Sequence, residues 1–157
     1  TLILRNLDLN TAVNAKIIDE KFKNLKWITH HYPKNPNEEV DNLIDAINII
    51  KNDERKKMLV TDYQFISVIL GINDHSAARI WWRHHIYPVP NTKYFPYWKD
   101  FLLNKIRNEK IEVIYTINPL EGETNIFEGL ISEKCFSTRQ ISEILVSQKI
   151  AECDEIK

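Results

Sequence analysis

The sequence predicts one α/β domain of three layers, in which helices cover both faces of a doubly wound, mainly parallel sheet of the Rossmann-like or flavodoxin-like kind. Short segments rich in β-branched residues alternate along the chain with longer segments whose apolar residues recur at helical spacing. The 157 residues suit a single domain with its own core. A hydrophobic fraction of 43% and a charged fraction of 27% are typical of folded globular proteins.

The first third of the chain predicts a helix, a strand and a second helix. Residues 11–24 place apolar side chains near one helical face, and residues 25–29 favour a strand. A strong helix start follows, with Asn35 as N-cap, Pro36 in the first helical position and Glu38 three residues after the cap. Apolar residues at helical spacing then continue this helix to about residue 52.

The middle of the chain predicts a buried strand at 57–62 and a short helix at 65–70 that ends at Gly71. Residues 80–82 indicate a short strand within an irregular stretch. Residues 94–108 then predict an amphipathic helix. Its apolar face consists of Tyr94, Trp98, Phe101, Leu102 and Ile106.

The last third begins with the clearest strand, at 111–117, followed by a short helix at 125–131. Residues 141–146 favour a helix or a strand, and residues 150–153 a last strand. Because helices alternate with strands, we expect helical crossovers and parallel pairing. Residues 1–24 are expected to form an N-terminal helix or linker, and residues 25–157 the α/β domain.

A ligand-binding site is expected beyond the carboxyl ends of the parallel strands, where ligands bind in open α/β sheets. Asp62 is its sharpest single candidate, but capping of the helix that follows is the favoured role for an aspartate at this position. Asp62 and Glu121 should lie along one rim. The candidate ligand-binding residues are Thr61, Asp62, Tyr63, Gln64, His31, Trp82, Glu121 and Glu123.

No catalytic residue, metal site or cofactor is predicted. The chain lacks glycine-rich phosphate-binding motifs and a nucleophile elbow. Adjacent histidines, such as His30 and His31, point to opposite faces of a strand, so each pair supplies at most one metal ligand. A formal net charge of -1 gives no attraction for a phosphate backbone, so no nucleic-acid partner is expected.

Aromatic residues are concentrated between positions 81 and 98, in a segment that we call the aromatic belt. Such rings can stack on sugars, bind a protein partner or pack in the core. The belt consists of Trp81, Trp82, Tyr87, Tyr94, Phe95, Tyr97 and Trp98.

Two cysteines, Cys135 and Cys153, are too few for a disulfide-rich scaffold. They can remain reduced and partly buried, or they can pair if the domain lies outside the cytoplasm.

No apolar segment approaches the roughly 18 residues that span a bilayer. The start at Thr1 agrees with a domain cut from a longer protein.

Several short sequence segments resemble the soluble C-terminal region of marine bacterial multi-pass membrane proteins. Those proteins are described as glycosyltransferases that use lipid-linked sugars, or as uncharacterised. The likeness spans roughly residues 25 to 157. It is carried by Tyr32-Pro33-x-Asn35-Pro36-x-Glu38-Glu39, by Met58-Leu59-Val60-Thr61-Asp62-Tyr63-Gln64-Phe65, by Tyr115-Thr116-Ile117-x-Pro119-Leu120-x-Gly122-Glu123, and by the late Cys135 and Cys153.

This resemblance implies an accessory domain that binds a glycan or an acceptor outside the cytoplasm. The catalytic carboxylate would belong to an upstream membrane region, and no catalytic residue carries over to this chain. A lipid-linked sugar would be bound only through the parent protein. The resemblance also favours a bridge between Cys135 and Cys153. Without it, a cytoplasmic location is expected.

Three functions therefore remain open. The first is the glycan-binding accessory domain, and the second is a protein-interaction module that uses the aromatic belt at 81–98. The third is a stand-alone enzyme in which Asp62 and a histidine act as acid and base. The sequence gives no oligomeric state.

Overall fold

The computed structural model describes residues 12–28, 35–61, 63, 65–71, 88, 90–117 and 129–156. Its helices are α1 (Pro36–Asn52), α2 (Phe65–Leu70) and α3 (Phe95–Glu109). Its strands are β1 (Val13–Asn14), β2 (Lys26–Trp27), β3 (Lys57–Thr61), β4 (Val113–Ile117), β5 (Phe136–Gln140) and β6 (Leu145–Ile150). Single 3₁₀ turns lie at Ala15–Ile17, Glu20–Phe22 and Glu133–Cys135.

The main sheet is mixed, with the strand order β3-β4-β6-β5. Strands β3 and β4 are parallel, and their register runs from Lys57 opposite Val113 to Thr61 opposite Ile117. Strand β6 is antiparallel to both β4 and β5. The predicted doubly wound, mainly parallel sheet of the Rossmann-like or flavodoxin-like kind is therefore wrong.

The hairpin of β5 and β6 is the reason for this difference. Only residues 141–144 join the two strands, and a connection this short forces antiparallel pairing because a parallel partner needs a long crossover. Strand β5 is mostly exposed and polar, so it lacks the apolar pattern that reveals a strand. The expected elements at 141–146 and 150–153 are replaced by β6, which runs from Leu145 to Ile150.

The N-terminal segment is also not the helix expected at 11–24. Asn14 and Asp19 accept hydrogen bonds through their side chains from the backbone N–H groups of Lys16 and Lys21, and each starts only a single 3₁₀ turn. Asn and Asp favour such local bonds over a continuous helix. The flanking strands form a small antiparallel pair in which Val13 lies opposite Trp27.

Helix α1 confirms the predicted start at Asn35 and Pro36. The Asn35 side chain makes no hydrogen bond to the backbone of the first turn; instead its Nδ2 donates to Glu38 Oε2 at 3.2 Å. The side chains of Asn35 and Glu38 are thus joined by a hydrogen bond to each other. Proline suits the first helical position because no intrahelical partner exists there for a backbone N–H.

The remaining predictions on the described residues differ in outcome. The strands at 57–62 and 111–117 and the helices at 65–70 and 94–108 are confirmed to within two residues at each end. Gly71 follows α2 with a φ of 62°, a conformation that glycine adopts without strain. Residues 129–131 form a turn and a bend instead of the end of a helix. The strand expected at 80–82 lies outside the described residues.

Side chains alternate between the two faces of the sheet and form two apolar clusters. On the α1 face, the buried residues are Leu43, Ala46, Ile47, Ile50, Leu59, Tyr63, Ile66, Val113, Tyr115, Ile117, Ile144 and Leu145. On the α3 face, they are Met58, Val60, Leu102, Leu103, Ile106, Ile111, Ile114, Leu130, Ile131 and Cys135. Helices thus cover both faces of the mixed sheet. No helix among the described residues has the length and apolar character needed to cross a membrane.

Candidate functional site

The predicted ligand site is only partly described, and its described residues have structural roles. Thr61 and Tyr63 are both buried. Thr61 Oγ1 accepts a hydrogen bond from the Tyr63 backbone N–H at 3.0 Å, and the Tyr63 carbonyl accepts one from Ile66 at 3.0 Å. These two residues therefore set the start of α2. Outside the described residues lie His31, Asp62, Gln64, Trp82, Glu121 and Glu123, so the common rim and the stand-alone enzyme stay predictions.

A buried carboxylate, Glu39, lies close to Tyr63 in the first turn of α1. Only 2% of Glu39 is exposed. Its Oε1 accepts a hydrogen bond from the Tyr63 hydroxyl at 2.6 Å, and its Oε2 accepts one from Trp27 Nε1 at 3.2 Å. A buried carboxylate needs such donors to offset its lost hydration. Glu39 thus ties the N-terminal segment and the end of β3 to α1.

The two aromatic donors to this carboxylate, Trp27 and Tyr63, belong to a cluster of packed rings. The Trp27 ring lies 5.1 Å from that of Phe65 and 5.9 Å from that of Tyr63, measured between ring centroids. Sequence reasoning did not single out Glu39. The signal was present, because position 39 precedes the buried Leu43 by one helical turn and so lies on the inner stripe of α1.

A second polar cluster lies at the C-terminal end of α1. Asp53 accepts three side-chain hydrogen bonds from Arg55, two from Nε at 3.0 and 3.1 Å and one at 2.8 Å from Nη2 to Oδ2. The same Oδ2 accepts a hydrogen bond from the Tyr115 hydroxyl at 2.6 Å. These bonds join the end of α1 to the middle of β4.

The titration of this cluster follows from its contacts. Burial acts to raise the pKa of Asp53, but hydrogen bonds from Arg55 and Tyr115 outweigh it and hold the pKa well below the ordinary value. Burial and the bond to the Asp53 carboxylate raise the pKa of Tyr115 to about 12. The hydrogen bond to Asp53 also raises the pKa of Arg55. Asp53 is therefore a fixed anion near neutral pH, suited to structure and not to proton transfer.

The α3 face carries a different feature, an exposed aromatic surface. Tyr94, Tyr97 and Phe101 are 61%, 73% and 52% exposed, respectively, and Trp98 beside them is half-buried. These four residues, which we call the aromatic face, lie within an arc of about 100° on a helix of 3.6 residues per turn. The Trp98 and Phe101 ring centroids are 6.0 Å apart. The aromatic face includes part of the predicted belt.

The exposure of the aromatic face corrects the expected packing of α3. Leu102 and Ile106 are buried as predicted, but Tyr94 and Phe101 lie mostly in solvent. The helix therefore buries one stripe of aliphatic side chains and presents a second, aromatic stripe beside it. Contiguous exposed apolar side chains on one surface are typical of interaction sites. Of the belt, Trp81, Trp82 and Tyr87 lie outside the described residues.

The two cysteines form a disulfide, Cys135–Cys153, in the structure. Cys135 directly precedes β5, and Cys153 follows β6 by three residues, so the bridge closes the open end of this hairpin. Disulfides persist mainly in oxidising compartments.

The part of the chain that the structure describes contains no group of three or more His, Cys, Asp or Glu side chains that could hold a metal ion.

No protein-family model matches this chain, and no curated protein or solved structure matches it either. The resemblance to the soluble region of membrane glycosyltransferases therefore stays a hypothesis that is based on short sequence segments alone.

Proposed function

We propose that this chain is a non-catalytic interaction domain, and that its aromatic face docks against the same face of a second copy. The observation that carries the proposal is the exposure of Tyr94, Tyr97 and Phe101 on one side of a single helix. Tyr and Trp are enriched in protein interfaces because they bury a large apolar area and lose little side-chain entropy. Other exposed apolar residues, such as Leu25 and Val68, lie outside α3 and carry no aromatic ring.

The spacing of the aromatic face makes it self-complementary. A two-fold axis between positions 97 and 98 of antiparallel α3 helices would place Tyr94 opposite Phe101, and Tyr97 opposite Trp98. Every ring of one copy then meets a ring of the other, as an isologous interface requires. The exposed polar residue Asn104, three residues after Phe101 on α3, would form part of a polar rim.

The strength of this association can be bounded. A pair of aromatic rings contributes roughly 0.5–1.5 kcal/mol beyond the area that it buries. One helix face buries less than the roughly 1,600 Å² of a standard stable interface. We therefore expect a weak dimer, with a dissociation constant on the order of 10–100 µM.

Sedimentation velocity between about 1 µM and 1 mM protein tests the proposal, and the weight-average sedimentation coefficient should rise with concentration. The double variant Tyr97→Ala/Phe101→Ala should remain monomeric over the same range, because it removes two of the four rings. A matched control, Leu25→Ala/Val68→Ala, removes two comparably exposed apolar side chains elsewhere and should dimerise like the wild type. A wild-type protein that is monomeric at all concentrations would contradict the dimer.

A glycan is the second candidate occupant of the aromatic face. Exposed tyrosine and phenylalanine rings can stack on the apolar faces of sugars, and the disulfide is compatible with the extracytoplasmic location that the resemblance implies. A glycan array separates the two candidates. Binding of a glycan by the wild type that is lost in Tyr97→Ala would favour the accessory domain, and an array without signal would count against it.

A further inference from the structure

A groove lies away from the aromatic face, at the opposite end of α3. It is formed where the C-terminal end of α3, the start of β4 and the end of β6 meet the segment that follows β6. Its volume is about 490 Å³, within the range of roughly 300–1,000 Å³ that is common for small-molecule sites. Its apolar lining consists of Ile106, Ile111, Ile150, Ala151, Cys153 and Ile156.

Cations outnumber anions around this groove. Apart from Arg55, which is paired with Asp53 at 2.8 Å, the cationic residues Arg107, Lys110 and Lys149 line it, against the two carboxylates Glu112 and Glu152. This local excess of positive charge contrasts with the net charge of -1 of the whole chain. Lys110 and Lys149 are both exposed, so their amines can reach a bound anion. An apolar floor with cations at its edge is complementary to a molecule that has an apolar body and an anionic head.

The wall of the groove is held in place by several contacts. Arg107 donates from Nε to the Ile156 carbonyl at 3.2 Å and from Nη2 to the Glu155 carbonyl at 2.7 Å. The Ala151 N–H donates to the Cys135 carbonyl at 2.8 Å, next to the disulfide. The segment after β6 is thus fixed against α3 and the hairpin, and the groove exists before any ligand arrives.

Lys110, at the edge of the groove, is the residue at which α3 ends. Helix α3 ends with paired hydrogen bonds, from Lys110 N–H to the Arg107 carbonyl at 3.1 Å and from Ile111 N–H to the Ile106 carbonyl at 3.0 Å. This arrangement puts Lys110 at a φ of 53°, where glycine is the favoured residue. A lysine at such a position costs some backbone strain, which a glycine would relieve.

We propose that this groove binds a small amphiphilic anion, an alkyl or aryl phosphate monoester. Its apolar body would cover Ile106 and Ile111, and its phosphate would be bound by the amines of Lys110 and Lys149. The groove shares no residue with the aromatic face, so this proposal stands independently of self-association.

Titration of the ¹⁵N-labelled full chain with octyl phosphate, followed by NMR, tests the proposal. Backbone amides at Ile111, Ala151 and Cys153 should shift in a saturable manner. Inorganic phosphate lacks the apolar body and octanol lacks the anionic head, so each should bind at least about tenfold more weakly than octyl phosphate. Octanol that binds as tightly as octyl phosphate would overturn the proposal, and so would inorganic phosphate that binds as tightly.

The variant Lys110→Gly separates binding from folding. Glycine relieves the strain at this position, so the melting temperature should rise, while the affinity for octyl phosphate should fall about threefold. Adding Lys149→Gln should bring the loss to about tenfold. The control Lys26→Gln/Lys51→Gln changes two exposed lysines outside the groove and should bind like the wild type. Equal affinities of the control and the Lys110→Gly/Lys149→Gln variant would overturn the proposal.

Discussion

The two faces of the sheet use polar and aromatic residues in opposite ways. On the α1 face, Glu39 and Asp53 are hydrogen-bonded to tyrosine, tryptophan and arginine side chains of neighbouring segments. On the α3 face, tyrosine and phenylalanine rings lie in solvent, and a groove with cationic edges opens at the end of the helix.

This difference separates stability from recognition. Polar groups whose hydrogen bonds are made within the fold have little capacity left for a ligand, so the α1 face mainly holds the domain together. Exposed rings and lysine amines contribute little to the free energy of folding. They contribute to the free energy of binding when a partner or a ligand covers them. Substitutions on the α1 face should therefore reduce the free energy of unfolding, and those on the α3 surface should change binding and leave folding intact.

The largest effect is expected from Leu43→Ala on the α1 face. Leu43 is fully buried in α1, and truncation to alanine leaves a cavity that should lower the free energy of unfolding by roughly 2–5 kcal/mol. The matched substitution on the α3 surface, Phe101→Ala, removes a side chain that is 52% exposed and should change this free energy by less than about 0.5 kcal/mol. Urea denaturation followed by circular dichroism measures both values. Similar losses in the two variants would show that the faces do not differ in this way.

A smaller effect is expected from Tyr63→Phe, which removes the hydroxyl that donates to Glu39 at 2.6 Å. Among the described residues, the buried carboxylate then keeps the Trp27 side chain as a donor, and the free energy of unfolding should fall by about 1–3 kcal/mol. Tyr94→Phe removes a hydroxyl from an exposed tyrosine and should be neutral. The same denaturation experiment compares the pair. If Tyr63→Phe were neutral as well, the hydrogen bond to Glu39 would contribute nothing to folding.

The smallest effect concerns the pH dependence of stability at the Asp53–Tyr115 contact. The pKa of Asp53 lies below its ordinary value of 3.8, so its contribution is present above pH 4 and is lost as the pH falls towards the lower value. The pKa of Tyr115 is raised from 10.0 to about 12, so its contribution is complete below pH 10 and is lost as the pH rises towards 12. The effect is modest because the Arg55 partner is 40% exposed and solvent screens it.

The variant Tyr115→Phe checks this pH dependence. It should be less stable than the wild type near neutral pH. The difference in free energy of unfolding should shrink between pH 10 and pH 12, because Tyr115 ionises there in the unfolded chain while the fold holds its proton up to a pKa of about 12. Denaturation curves at several pH values provide the measurement. A difference that stays constant across this range would mean that the Tyr115 pKa is not raised by the fold.

Much of the central architecture could be predicted because it depends on local signals. The start of α1 at Asn35 and Pro36 follows from the conformations that these residues prefer. Strands β3 and β4 are buried on both faces, so they form continuous apolar segments that are visible without any partner. The helical segments between them imply a crossover, and the parallel pairing of these two strands agrees with that expectation.

The hairpin could not be predicted in the same way. Strand β5 is at an edge of the described sheet and exposes most of its side chains, so it gains its conformation from pairing with β6 and not from an apolar pattern. Position 148 in β6 is a glutamine that is completely buried, which breaks the apolar pattern of that strand. The wrong fold class follows from this one hairpin.

The aromatic face and the groove also differ in how much of each could be predicted from the sequence. The sequence placed aromatic residues at helical spacing, but their positions on the helix wheel did not determine which would face the core and which would face solvent. Tyr97 belonged to the predicted belt, and its exposure of 73% depends on how α3 is rotated against the sheet. The groove was invisible because it joins Lys110 to Lys149, which are far apart in the chain.

The sequence by itself determined where α1 begins, where the two central strands lie and which helix carries the aromatic residues, since backbone preference and apolar periodicity act over a few neighbouring positions. The tertiary structure alone decided the direction of β6 against β4, the burial of Glu39 and the outward rotation of Tyr97. Those outcomes depend on which distant surfaces share one core, and contacts between distant residues leave no local pattern in the chain.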